Sequence, residues 1–262
     1  MDWSKIKTIF ILTFLILDVY LFYQFLIIRD TNKYEYITEA TVEEKLKADD
    51  IRYIEIPKAP LKSQYVSAKP KKFTKDDLGK LKGQRAYLKN GTIIHSVLIR
   101  ALPVSLKFQD EEITSFLKSN LLYGDRYKFG ERNDKSKTIT YYQEYENKPF
   151  YKNISGKIIF TLNEENQIIS YEQTYLEGIE KMTQKEDLLA PLKAVETLHQ
   201  KGLLKPKSNV TKIELGYSTL IQLAASQVLA PTWHIVVDDK ENFYVNGFEG
   251  QIIQFEEKNV VE

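Results

Sequence analysis

A long apolar run at the start of the chain constrains its architecture more than any other feature. From Thr8 to Ile28 roughly 21 residues follow one another with Asp18 as the only charged side chain, and a helix of that length crosses the ~30 Å hydrocarbon core of a bilayer. A signal peptide has a shorter apolar core and a small-x-small cleavage site, which this sequence does not offer. We therefore expect a retained signal-anchor helix within a first segment of residues 1–30.

The flanks of this run bear on its orientation. Lys5 and Lys7 precede it, and Arg29 and Lys33 follow it, so the positive charges on the two sides nearly balance. A short basic tail is a normal start for export, and large domains translocate with little regard to charge. We expect a cytoplasmic N-terminus and an extracytoplasmic bulk. Because the chain has no cysteine, a bacterial envelope suits it better than the disulfide-rich setting of secreted eukaryotic domains.

Four polar side chains interrupt the apolar helix, and they are the candidate site residues. Asp18 falls near the bilayer midplane, where a carboxylate costs about 2.5–3.5 kcal/mol. At 100° per residue, Thr13, Tyr20 and Gln24 lie within about 40° of one another and roughly 120–160° from Asp18. The helix therefore has two polar edges, and we expect both to contact partner helices. The alternative is a passive anchor in which the surrounding Leu and Phe side chains outweigh these four.

The exported part divides into two α+β segments, residues 31–125 and 126–262. Local signals in the first segment predict a helix capped at Thr41, a strand over 51–56, a surface loop over 57–72, a helix capped at Thr74, a hairpin at Asn90-Gly91 and a helix over 111–122. The second segment has three strand-like runs, a helix over 188–199 with Pro191 in its first turn, and three more strands. This order predicts antiparallel sheet with a helix packed on one face, an α+β fold.

No pattern in the sequence indicates catalysis, a cofactor or a metal. The 11 glycines form no nucleotide-binding loop, and the lack of cysteine excludes thiolate chemistry and Cys-ligated zinc. The three histidines, His95, His199 and His234, have no second His or carboxylate at metal-ligand spacing. Although a Ser-His-Asp triad stays open on sequence alone, no nucleophile elbow accompanies them. With a net charge of +1, nucleic acid is not an expected partner, and we expect a binding or regulatory protein.

Several segments, taken in order, resemble one family. They are MDWSKIKTIFILTFLILDVYL at the start, TITYYQEYENKPFY with GKIIFTLNEENQIISYEQTYLE in the middle, then LKAVETLHQKGLL, IELGYSTL and LAPTWHIVVDDKENFYVNGFEGQII. This ordered set is similar to YycI (WalI) of Bacillus and its relatives. The resemblance covers nearly the whole chain and is weakest over residues 31–125.

The resemblance implies a function. YycI proteins are single-pass regulators of the WalK (YycG) sensor kinase of a two-component system, and each pairs with YycH. The two act on WalK largely through their transmembrane helices and so tune cell-wall metabolism. The effect is inhibitory in Bacillus-type members, which this chain resembles more than the staphylococcal ones. The family has no catalytic residues to transfer to this sequence.

A looser similarity leaves a second function open. TYYQEYENKPFY with GKIIFTLN resembles a protease propeptide motif, and PTWHIVVDD with FYVNGFEGQII resembles the end of a PepSY module. Both are cystatin-like folds that bind or inhibit, so the expected sheets are PepSY/cystatin-like repeats. An envelope protease inhibitor or folding chaperone is the alternative, although it rests on analogy of fold.

Overall fold

The computed structural model describes residues 3–31, 41–56, 62–105, 110–182, 184–222 and 226–255. By its internal contacts the chain forms two compact units, Met1–Lys45 and Leu46–Glu262. The predicted boundary near residue 125 falls inside the second unit, and strands from both sides of it pair with one another.

The first unit consists mainly of helix α1, Trp3–Thr31. Within it, Ile6–Tyr23 is long and apolar enough to cross a membrane, and every side chain described in that stretch is exposed. A helix whose circumference is apolar except at a few polar side chains has no broad polar face for water. The predicted helix is confirmed, and it is consistent with a single-pass membrane protein.

Short helices begin where the sequence places capping residues. Helix α2, Val42–Ala48, starts with a reciprocal pair in which the Thr41 amide donates to Glu44 Oε2 at 2.9 Å and the Glu44 amide donates to Thr41 Oγ1 at 3.3 Å. Thr74 and Asp77 make the same capping box at α3, Lys75–Gly79. Both predicted caps are confirmed, and each satisfies amides that the first turn leaves without partners.

The second unit is mostly β-sheet. Its strands are β1 Arg52–Tyr53, β2 Lys62–Ser63, β3 Val66–Pro70, β4 Gln84–Lys89, β5 Ile93–Pro103, β6 Tyr127–Asn133, β7 Thr138–Tyr145, β8 Lys148–Tyr151, β9 Lys157–Leu162, β10 Gln167–Gln173, β11 Leu176–Lys181, β12 Glu186–Asp187, β13 Asn209–Gln222, β14 Gln227–Val237 and β15 Glu241–Asn246. Two further helices are α4, Asp110–Asn120, and α5, Pro191–Gln200.

Strand pairing connects most of these strands into one path. The order is β11-β3-β14-β13-β8-β7-β9-β10-β5-β4, with β1 beside β13, β15 beside β14 and β6 beside β7. Pairing is antiparallel except for β1 and β8, which both run parallel to β13. The coarse prediction of a mostly antiparallel sheet with a few helices is confirmed. A repeat of PepSY or cystatin type stays a prediction.

One core lies under α4. Ile113 and Leu117 are fully buried, and the Phe116 ring meets Phe160 of β9 edge-on at 6.4 Å. Burying one such aliphatic side chain contributes about 1.5–3 kcal/mol. The sheet supplies the other side of this core with Ile94, Ile139, Tyr141, Ile158 and Tyr171. The helix predicted over 111–122 is therefore confirmed as α4, and its apolar face packs on the sheet.

Helix α5 covers part of the other region of the sheet. Pro191 occupies its first position, where a missing amide costs no hydrogen bond. The sequence predicts Pro191 in the first turn, but the helix begins three residues after the predicted start at Leu188. Ala194, Val195 and Leu198 are fully buried. The indole of Trp233, in β14, donates to the Leu189 carbonyl at 3.0 Å just before the helix.

The predicted loop over 57–72 is wrong where the structure describes it. Residues 57–61 lie outside the described part, but β2 and β3 follow directly. Val66 and Ala68 of β3 are buried, since this strand pairs with β11 on one side and β14 on the other. The sequence interpretation gave too much weight to the lysines and prolines around this strand. It missed the short alternation of buried and less buried side chains along β3.

Candidate functional site

The four candidate residues of the anchor all lie on α1. Asp18, Thr13 and Tyr20 have exposed side chains, and Gln24 lies on the same continuous helix. An unbroken helix maintains the separation of roughly 120–160° between Asp18 and the other edge. The continuous helix therefore places the four residues on two separate edges, as the sequence predicts. The contacts themselves stay a prediction.

Each histidine of the second unit has a polar neighbour that the sequence did not reveal. His95 Nδ1 lies 3.4 Å from Glu172 Oε1, and His199 Nε2 lies 2.6 Å from Asp49 Oδ2. The latter pair connects the end of α5 to the residue after α2. Neither pair includes a third group of the kind that a triad or a metal site needs. Among the residues that the structure describes, no group of three or more His, Cys, Asp or Glu is placed to hold a metal ion.

His234 lies in the most enclosed setting of the three. Its ring stacks on Tyr244 at 4.8 Å with an interplanar angle of 8°, and Nε2 donates to Asn242 Oδ1 at 2.7 Å. Nδ1 is buried and meets no hydrogen-bond partner in the described part of the chain. Burial lowers the pKa of His234 to about 4. The side chain is therefore neutral at pH 7 and serves packing rather than proton transfer.

A charged cluster surrounds Glu214 on β13. Lys128 of β6 and Lys212 bind its two carboxylate oxygens, the second at 2.9 Å, and the Tyr151 hydroxyl donates to it at 3.0 Å. Burial alone would raise the pKa of this carboxyl, but the two lysines outweigh burial and lower the pKa to about 2. Glu214 therefore stays ionised and joins β6, β8 and β13 electrostatically.

A second carboxylate, Glu131 of β6, lies in a similar arrangement. Lys152 donates to both of its oxygens at 2.6 and 2.7 Å, and the Tyr142 hydroxyl donates at 3.1 Å. Burial, followed by the Glu131 charge, raises the pKa of Tyr142. Because the tyrosine stays protonated, it acts as a hydrogen-bond donor and not as a base.

Buried amides complete the polar interior. Gln143 donates to the Leu176 carbonyl at 2.8 Å and accepts from the Leu176 amide at 2.7 Å. Asn153 donates to Gln227 Oε1 at 2.6 Å and to Thr219 Oγ1 at 2.7 Å. Such satisfied networks fix one arrangement of the strands. No sequence pattern could have found them, since the partners are 33 to 74 residues apart.

These observations define a class of protein. It has a mostly β body with a few helices, preceded by one helix that is long and apolar enough to span a membrane. The model of the YycI protein family matches residues 31–248, which is most of the chain. The chain belongs to the YycI family, a regulatory, non-enzymatic family associated with the WalK kinase system.

Two other comparisons add little. No curated protein matches the chain. A crystal structure of an uncharacterized protein from Eubacterium rectale is similar at 9% identity, covering 79% of this chain and 92% of that one with a TM-score of 0.46. A likeness at that level carries no argument about this protein.

Proposed function

We propose that this chain is a membrane-anchored regulator that acts with a YycH-like partner to modulate the WalK sensor kinase of a two-component system controlling cell-wall metabolism. The direction that we propose is inhibitory, as in the Bacillus-type members that the sequence resembles. The family match over residues 31–248 carries this proposal. The apolar helix α1 supports a place in the cell membrane. The orientation that we propose, with the N-terminus in the cytoplasm and the bulk outside, follows from the short basic tail that precedes the helix.

The family match begins after α1, so the role of the anchor needs its own argument. A carboxylate at the midplane costs about 2.5–3.5 kcal/mol on insertion, and this cost favours a polar partner for Asp18. A hydrogen bond between transmembrane helices contributes about 0.6–2 kcal/mol, which is about a 3- to 30-fold change in association. We propose that Asp18 contacts one partner helix, and that Thr13, Tyr20 and Gln24 contact another.

The test is a WalK-dependent reporter in cells that lack their own copy of the gene, with membrane levels matched by blotting. Asp18→Leu should insert better and regulate 3- to 30-fold less well. Asp18→Asn keeps a hydrogen-bonding side chain and should retain more activity than Asp18→Leu. Val19→Leu is the matched control, because Val19 lies about 100° from Asp18 on neither polar edge, and it should regulate normally.

A second arm separates the two edges. Replacing Thr13 and Gln24 together with Leu should weaken a different contact, so its loss should add to that of Asp18→Leu. Co-purification from mild detergent should recover a YycH-like protein and the kinase with the wild type. Normal regulation by Asp18→Leu and also by a helix made wholly of Leu would contradict the proposed anchor contacts.

The same assay decides between regulation and protease inhibition. A regulator that works through its helix needs α1 in the membrane. An inhibitor or chaperone of PepSY type also works as a soluble domain without the anchor. We therefore expect residues 41–262, exported without the anchor, to leave the reporter unregulated. Full regulation by that soluble fragment would favour the inhibitor hypothesis.

A further inference from the structure

Positive charge is concentrated in one part of the body. Residues 62–105 hold ten Lys or Arg side chains and two Asp, whereas the whole chain holds 37 basic and 36 acidic side chains. Most of these ten cations are exposed. The rest of the chain holds 27 basic and 34 acidic side chains, so basic side chains outnumber acidic ones on β2, β3, α3 and the β4–β5 hairpin although they do not in the remainder taken together.

The β4–β5 hairpin adds exposed apolar side chains to this charge. Register pairs Arg85 with Val97 and Tyr87 with His95, so these four share one face of the sheet. Ile99 continues that face, with its amide donating to the Gly83 carbonyl at 3.1 Å. The exposed fractions are 55% for Tyr87, 45% for Val97 and 67% for Ile99. Helix α4 packs on the opposite face.

Three cations lie near these apolar side chains. Arg85 is on the same face, whereas Arg100 alternates to the α4 side and, with Lys82, reaches this surface only at the mouth of a cavity that Ile99 also lines. Lys82 and Arg100 line a small open cavity of about 250 Å³ together with Leu98, Ile99 and Phe116. Lys82, Arg85 and Arg100 have no carboxylate partner among the residues described here. Neighbouring lysines differ, because Lys80 binds Asp77 at 3.3 Å and Lys89 lies 4.0 Å from Glu172. We name Lys82, Arg85, Tyr87, Val97, Ile99 and Arg100 the hairpin patch.

Protection of an edge strand explains part of this pattern. Strand β4 ends the sheet path, and Lys or Arg on an edge discourages pairing with other chains. That role needs cations only. It does not account for Tyr87, Val97 and Ile99, which would promote aggregation if they met only water. Aliphatic and aromatic side chains mixed with cations are the composition that binds the interface of an anionic bilayer.

We propose that the hairpin patch contacts anionic phospholipid headgroups of the membrane in which the same chain is anchored. The proposal rests on the anchoring in the proposed function. An anchor on the same chain keeps lipid at high local concentration, so weak contacts suffice. Each cation near an anionic surface strengthens the contact about fivefold. The three cations together therefore favour the bound state by about a hundredfold.

The lack of cysteine makes a direct test possible. Ile99→Cys in the full-length chain is labelled with a fluorophore and placed in nanodiscs that contain doxyl-quencher lipid. Discs of phosphatidylcholine are compared with discs that also contain phosphatidylglycerol. Strong quenching at position 99 only with phosphatidylglycerol, reduced by 0.5 M salt, is the expected result. Lys240→Cys, in the turn after β14, is the control label and should stay unquenched.

Charge variants make the test specific. Lys82→Gln, Arg85→Gln and Arg100→Gln together should reduce quenching at position 99 to the level seen in neutral discs. The matched control replaces three exposed lysines elsewhere, Lys201, Lys205 and Lys207, with Gln, and quenching should persist. Equal quenching in both disc types, or none in either, would overturn the proposal. Quenching that needs an added acidic protein would also overturn it and identify a protein-docking surface.

The outcome is separable from the proposed function. Carbonate extraction first establishes that each variant is anchored, since an unanchored chain contradicts the proposed function itself. Membrane-bound variants that regulate the kinase reporter but show no lipid-dependent quenching overturn only the lipid contact. Anchored variants that show quenching but do not regulate support the lipid contact and count against the regulatory role.

Discussion

The buried imidazole of His234 predicts how stability depends on pH. Its pKa is about 4 in the native protein and 6.5 in the unfolded chain. Below pH 6.5 the unfolded chain binds a proton that the native protein excludes, so native stability falls as pH decreases and levels off below about 4. The free energy of unfolding decreases by about 3 kcal/mol in total, and by about 2 kcal/mol between pH 7 and pH 5.

His234→Phe removes this titration while keeping the ring. A phenyl ring retains the stack on Tyr244. The lost bond to Asn242 costs little, since Asn242 is exposed and water replaces the imidazole. The variant should therefore unfold with nearly wild-type free energy at pH 7. At pH 5 it should be more stable than the wild type by about 2 kcal/mol.

Urea unfolding of fragment 41–262 measures this difference. Trp233 is the only tryptophan in that fragment and is buried, so its fluorescence reports the transition. Other titrating groups are common to both proteins and cancel in the comparison. Measurements stay at pH 5 or above, because Glu214, whose pKa is lowered to about 2, contributes stability that is lost only as pH falls from about 4.5. Parallel pH profiles of variant and wild type would refute the reasoning.

Two further predictions concern backbone packing and capping. A Cβ on Gly124 would lie 1.8 Å from the Leu117 carbonyl oxygen. Gly124→Ala should therefore lower the free energy of unfolding in urea by at least ~2 kcal/mol. Gly79→Ala is the control and should be neutral, since a Cβ there would meet nothing within 4 Å. Thr74→Ala removes one half of the α3 capping box and should lower the free energy of unfolding by about 1 kcal/mol. Thr74→Ser keeps the hydroxyl and should lower it much less. Equal losses in the two variants would mean that the hydroxyl does not cap the helix.

Local chemistry made several elements predictable. Asn90 and Gly91 have φ of 56° and 72°, left-handed values that Asn and Gly tolerate in turns, and they lie between β4 and β5 as predicted. Thr41 caps α2 as the sequence predicts. Pro191 lies in the first turn of α5 as predicted, although that helix begins at Pro191 and not at Leu188. In each case the signal and its consequence lie within a few residues. Conformational preference alone therefore decides the outcome.

Pairing between distant strands was not predictable in this way. No local pattern predicts β6 or β8 as a separate strand, and β8 pairs with β13 some 67 residues later. His199 and Asp49 meet across 150 residues. From the sequence, Glu214 is an ordinary charged residue at an alternate position of a strand. In the structure Lys128 and Tyr151 both bind its carboxylate. Such contacts depend on sheet order, which no local pattern encodes.

Two features depart from the usual distribution of polar and apolar residues, and the membrane contacts that we propose account for both. Asp18 places a charge in a helix that is otherwise apolar, whereas Tyr87 and Ile99 expose apolar surface among cations. Inside the body, by contrast, Glu131 and Glu214 are matched by lysines and tyrosine hydroxyls. A charge that is already paired within the chain has little left to offer a partner. A bilayer, or a helix inside it, can supply the polar partner that Asp18 needs and the anionic and apolar surroundings that suit the hairpin patch.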